Sequence, residues 1–366
     1  MRTLDAAAAR QAAYGGLVFG AGGGGLESGL RGGAAALDHG APVLVTLDEL
    51  RPDDQVVVMT GVGAPGVQRR LTRTADTLRA LDRVIEAWDG DGRIVGTMVA
   101  HPGAYLPSSW FVNAIRPELL VVDCATNGRG HPTVAMGGMG LAARRDVQVT
   151  QAASGGLDDY LGHIDIVARG PVGVISSVLH HASAEVGASV ASSRGPFSVD
   201  FCRTNGAPGA VSACLRLGEA MLAAEAAGAD AMVAAIVDTL GGRELGRGPL
   251  LAAETTLVEA WDVGTLAVDT DGSRLEIVVC NEYMAAEMDG RRLSTYPDLI
   301  VTLSAADGMP TAAARMDEGD EIVVVAVPKD RIPLGAGVWD AVVYEDAERL
   351  TGRELASYAL EGAPKR

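Results

Sequence analysis

Aromatic side chains are scarce in this chain: they make up 4% of 366 residues, with 4 Phe and 4 Trp. A core without them must be filled by Ala, Val, Leu and Ile, while 47 glycines imply many tight turns. Basic residues are also few, 30 Lys and Arg against 47 Asp and Glu, for a net charge of −17. That balance argues against a nucleic-acid partner, which needs a basic face, and otherwise bears on solubility. Cysteine is limited to Cys124, Cys202, Cys214 and Cys280. They stand too far apart for a zinc motif or a short disulfide framework and read as reduced thiols of a cytoplasmic protein. Long apolar runs are missing too; nothing approaches the about 20 residues of a membrane span. The start, MRTLDAAAARQAAYG, has no apolar stretch leading to a cleavage site, so neither a signal peptide nor a membrane partner is expected. No internal repeat or low-complexity linker stands out.

What is present is an alternation. An Ala-rich helix (4 to 14) and a Gly loop (20 to 25) precede apolar runs at 42 to 47 and 55 to 60. A charged helix at 67 to 89 follows, then a strand at 93 to 99, a helix near 108 to 116 and a strand at 118 to 123. Short apolar strands between helices predict an α/β fold, a three-layer domain with a mostly parallel sheet covered on both faces. Beyond about 165 the pattern changes: a helix at 208 to 228 gives way to TLAVDT, RLEIVVC, DLIVTLSA and EIVVVAV, separated by turn signals such as DTDG and AADG. These predict a β-rich barrel or sandwich with attached helices. The expected division is 1–165, 166–330 and a C-terminal segment, 331–366, that could return to the first domain. A chain of this size and composition is expected to form a homo-oligomer around a small-molecule site.

The stretch VVDCATNGRGHP, 121 to 132, carries the strongest functional signal. The apolar run ELLVV ends in Asp123, Asn127, Arg129 and His131 with Gly128 and Gly130 between them, as when a buried strand delivers polar groups to a loop. Ligands of open α/β sheets sit outside the carboxyl ends of the strands. Asp123 could orient a base, bind a metal or cap a turn. Arg129 could hold a carboxylate, His131 could move protons, and Asn127 could bind substrate. Cys124 is a nucleophile candidate, although a buried inert thiol is the commoner state for such a residue. HPGAY, 101 to 105, occupies the same kind of position after its own strand, so His101, Asp123 and His131 are candidate ligands of a divalent metal ion. His180 and His181 fall on a helix with no partner at metal spacing and read as a surface pair.

Two glycine loops add backbone donors. Gly22, Gly23 and Gly24 precede the helix at 26 to 38, and Gly63 and Ala64 lie in TGVGAPG after a β-like run; both loops could bind substrate or an anion. Gly20, Gly22 and Gly25, with Asp48 closing the next apolar run, also match the spacing of a dinucleotide fingerprint and raise an NAD-dependent oxidoreductase. That fingerprint needs a full strand before the glycines, and only GLVF is available. Glu282 could reach a ligand from the β-rich part.

Taken together, GAGGGG (20 to 25), GAPG (63 to 66), DCATNGRGHP (123 to 132), NEYMAAEMDG (281 to 290) and YPDLIV (296 to 301) resemble the S-methyl-thiohydantoin desulfurase family over most of the chain. The resemblance implies an α/β domain joined to a β-rich domain, and a hydrolase that removes a sulfur substituent from a hydantoin-like ring by attack of water on an amidine-like carbon. The family pattern places carboxylates near the positions of His101, Ala125 and Thr133, where this chain has none. Two functions are therefore carried forward. In the first, Asp123 or His131 activates water while Arg129 and the backbone donors of the glycine loops stabilise charge. In the second, the chain is a non-catalytic accessory subunit of a hydantoin- or oxoproline-processing enzyme.

Overall fold

A computed structural model describes residues 1–22, 25–63, 73–156, 162–187, 189–258 and 261–364. The first part runs β1 (Arg2–Thr3), α1 (Ala6–Phe19), α2 (Leu26–Leu37), β2 (Val43–Val45), β3 (Gln55–Val62), α3 (Thr74–Glu86), β4 (Ile94–Val99), α4 (Leu106–Ser109), α5 (Phe111–Ile115) and β5 (Leu120–Ala125). It continues through β6 (Val149–Gly156), β7 (His163–Gly170), α6 (Val172–Glu185), β8 (Val190–Ser198), α7 (Val199–Asn205), β9 (Ala207–Pro208), α8 (Ala210–Ala224) and α9 (Ala229–Leu240). The remainder is β10 (Arg243–Val258), β11 (Trp261–Thr270), β12 (Ser273–Cys280), β13 (Glu282–Met288), β14 (Arg291–Thr295), β15 (Leu299–Ser304), β16 (Glu321–Val327), α10 (Glu345–Thr351) and α11 (Ala356–Leu360).

The first sheet has the order β1-β2-β5-β4-β3-β8-β6-β7, with β9 paired to β5. Its centre, β2-β5-β4-β3, is parallel, and these strands are the continuous apolar runs of the sequence. Antiparallel strands extend it on both sides, β1 at one edge and β8, β6 and β7 at the other. The sheet is thus mixed, with its parallel strands in the middle. Hairpin partners such as β6 and β7 can be joined directly, whereas each parallel step needs a covering crossover.

Scarce aromatics leave room for close helix packing. Asp5 caps α1 by accepting a hydrogen bond from the Ala8 amide at 2.8 Å. Further along, a side chain at Gly15 would strike the Cys214 carbonyl of α8, and one at Gly218 would strike the Gln11 carbonyl of α1. Backbones touch there, which only glycine permits, and the pair seals the core holding Val18, Phe19, Leu217 and Met221.

The second sheet, β14-β13-β12-β11-β10-β16-β15, is antiparallel throughout and curls into a half-barrel around Leu266, Val268, Ile277, Tyr283 and Val324. Not all of the chain after 165 joins it: β8 and β9 complete the first sheet, and α8 packs on α1. The terminal residues Tyr344, Leu355 and Ala359 pack on the half-barrel side chains Val278, Cys280 and Tyr296. Among the described residues no helix is long and apolar enough to cross a membrane.

Candidate functional site

The loop after β5 passes between the two sheets, and most of its polar atoms are bound by the protein itself. Asp123, at the end of the parallel strand, faces the first turn of α8: its carboxylate accepts from the Ser212 amide at 3.0 Å and from the Ser212 hydroxyl. It therefore satisfies a helix N-terminus and does not join the histidines. Asn127 donates to the Arg129 carbonyl at 3.0 Å and accepts from the Gly335 amide at 3.2 Å.

Arg129 is fully buried. Its guanidinium donates to the carbonyls of Gly130 and Asp298 and to the Glu282 carboxylate at 3.0 Å, and it lies 4.5 Å from the centre of the Tyr296 ring. It does hold a carboxylate, but the protein's own, contributed by the first residue of β13. That geometry gives a buried cation the pairing it requires and fastens the loop to the half-barrel. Glu282 reaches the site as the sequence suggests. Burial raises its pKa and Arg129 pulls it back.

A different state holds two residues further on. His101, just past β4, and His131 stack edge to face with ring centres 4.9 Å apart. The His131 Nδ1–H donates to the Thr133 carbonyl at 2.7 Å, which fixes the tautomer and leaves the Nε2 lone pair available. Both residues are half-buried, and His131 Nε2 and His101 Nδ1 are themselves buried with no partner among the described residues. Desolvation, and then the Arg129 charge, lowers the His101 pKa to about 4. Desolvation also pushes His131 well below its ordinary value, helped by His101, Arg194 and Arg129. Two neutral imidazoles therefore stand side by side at physiological pH. Tyr105 supports the pair by donating its hydroxyl to the His101 carbonyl at 2.6 Å.

Arg194, in the middle of β8, completes this group. It is 3% exposed, donates to the Gly137 carbonyl at 3.1 Å, and leaves its Nε without a partner. Gly137 also touches His131: a side chain there would meet His131 Nε2, so only glycine fits against that nitrogen. Sequence reasoning overlooked Arg194, Tyr105 and Tyr296. Arg194 lies within a strand, SSRGPFS, and the available signals are a charged residue in a run that must be buried and the Gly195-Pro196 pair that follows it.

The remaining candidates separate. Cys124 is buried, its thiol pushed up to about 12 mainly by desolvation, so it is inert as a nucleophile. The proposed metal set does not assemble, since Asp123 is engaged by Ser212. Among the described residues no three His, Cys, Asp or Glu side chains converge to hold an ion. The dinucleotide fingerprint fails on its required strand: Gly20, Gly22 and Gly25 join α1 to α2, and Asp48 lies 3.4 Å from Arg203. Gly22 presses on the backbone of Thr311 and Ala312, and Gly63 lies against Ser189 at the end of β3. Gly23, Gly24 and Ala64, and with them the first residues of the helix expected from 67, lie outside the described residues. His180 is half-buried and His181 exposed on α6.

The profile of the S-Me-THD-like N-terminal domain matches residues 8–156, and that of the S-Me-THD-like C-terminal domain matches residues 173–332. The chain belongs to the S-Me-THD-like family. Within solved structures, this S-Me-THD-like chain is similar to a crystal structure of a protein from Chromobacterium violaceum. The TM-score is 0.71 at 18% identity, covering 95% of this chain and 96% of the other. That likeness concerns the fold. No curated protein matches the sequence.

Proposed function

We propose that this S-Me-THD-like protein is a hydrolase of a small S-substituted thiohydantoin-like ring. The observation that carries the reading is the His131 imidazole: neutral, held by Thr133 at one nitrogen and free at the other, at the carboxyl edge of a parallel sheet. His131 Nε2 takes a proton from water as the water oxygen attacks the ring carbon bearing the methylthio group. The C–S bond then breaks and His131 returns the proton to the departing sulfur. The balance is one water consumed, one ring carbonyl with its N–H formed and one methanethiol released. The ring nitrogen takes the second water proton, released from the adduct hydroxyl as the carbonyl forms, and Glu282 keeps its pairing with Arg129. Asp123 and Arg129 have structural duties in this scheme. The family name, with its desulfurase-like meaning, supports the same chemistry.

Methanethiol release from S-methyl-thiohydantoins, followed with a thiol reagent, is the test. The wild-type protein turns over, and His131→Ala loses about 100-fold or more in kcat/KM while its unfolding midpoint stays close to wild type. Unchanged turnover in this variant would remove His131 from the chemistry. A second reading, a binding-only accessory subunit, is favoured by the way Asp123, Asn127 and Arg129 spend their polar atoms on the protein. Saturable ring binding by wild type without methanethiol release decides for it.

A further inference from the structure

Among the described residues two arginines lie deep in the molecule, and only one of them is neutralised there. Arg129 meets a carboxylate, two carbonyls and an aromatic face. Arg194 makes a single hydrogen bond, to the Gly137 carbonyl, and forms no ion pair among the described residues. Its cross-strand neighbour Gln151 cannot compensate, because that amide donates to Ser192 and accepts from Ser176. The cost of the arrangement shows in the guanidinium itself, whose pKa burial lowers to about 10, still cationic at neutral pH. A buried cation with an idle Nε is under-satisfied unless something else approaches it. Gly137 links the two residues: Arg194 donates to its carbonyl, and a side chain on it would meet His131 Nε2.

We propose that Arg194 seats an anionic group of the substrate, so that the ring accepted by this site carries a planar oxyanion, either a carboxylate substituent or the ionised ring imide. This deepens the ring-hydrolase reading and rests on it. A guanidinium matches such a group in shape and charge, and a partner held there would set the rest of the ring against His131. The anion would also supply the neutralisation that Asp123 and Glu282, committed to Ser212 and Arg129, do not provide.

Calorimetric titration of the full chain tests this with four probes: 5-methylhydantoin, its N-methylated form that cannot ionise at the imide, hydantoin-5-acetate, and acetate alone. Arg194→Met is compared with Arg194→Lys, which keeps the charge, and circular dichroism checks that both are folded. The expected result is that an ionised ring binds at least about tenfold more tightly than the N-methylated one, with the preference lost in Arg194→Met and partly kept in Arg194→Lys. Preference for hydantoin-5-acetate identifies a substituent carboxylate as the anion; preference for 5-methylhydantoin over its N-methylated form identifies the imide. Equal binding of all rings, unchanged in Arg194→Met, overturns the anion seat and leaves the hydrolase reading standing. Acetate binding that depends on Arg194, with no ring bound, keeps the anion seat and overturns the ring reading.

Discussion

The polar residues of the β5 loop and those around Gly137 lie in one place but in opposite states. Asp123, Asn127 and Arg129 are bonded to the protein at nearly every polar atom, while His101, His131 and Arg194 keep buried nitrogens with no partner among the described residues. Burial of a polar group is costly unless it is paired, so the first set is explained by the fold alone. The second set is not, and its unpaired atoms are what a ligand could satisfy. A motif full of polar residues therefore marks where the site is, and the satisfied or unsatisfied state of each atom marks which residues act.

The sharpest way to break this contrast is Arg129→Ala. It leaves the Glu282 carboxylate buried without its partner and releases the loop from the half-barrel, so denaturant unfolding should show a loss of about 3–5 kcal/mol. If stability is unchanged and only turnover disappears, Arg129 belongs with the active group and the division fails. Acid titration gives the next largest effect. His101, at about 4, and His131 are depressed below their unfolded value of 6.5, so the unfolded chain takes up protons first as pH falls. Stability is complete above pH 6.5 and declines as pH falls toward 4, His101 contributing at most about 1.4 kcal/mol per pH unit. Unfolding midpoints measured across that range should show the slope reduced in His101→Phe; an identical slope removes His101 as its source. Asp123→Asn should have the smallest effect. It weakens the contacts to Ser212, costing about 1–2 kcal/mol by the same denaturant measurement, and it leaves methanethiol release within about threefold of wild type. A large loss of rate at preserved stability would return Asp123 to the chemistry.

Much of this was legible in the chain. Apolar runs located β3, β4 and β5, and the abrupt change after ELLVV located the loop, because strand burial and loop polarity are local properties. The β-rich second part was equally plain from its turn signals. The satisfaction of each polar atom was not, since it depends on residues remote in sequence: Asn127 is bound by Gly335, Arg129 by Glu282 and Asp298, and Asp123 by Ser212. Arg194 was hidden for the same reason. A charged residue in a buried strand becomes informative only when the absence of a partner is visible.

The position of β8 has a consequence for dividing the chain. This strand belongs to the C-terminal family segment, 173–332, yet it lies in the first sheet between β3 and β6 of the N-terminal segment, and it carries Arg194 to His131. The C-terminal segment thus supplies strands to the sheet built mainly by the N-terminal segment, while the second sheet takes none in return. A chain cut between the two segments would leave β3 and β6 without the strand that joins them, so segments separable as sequence share one sheet as structure.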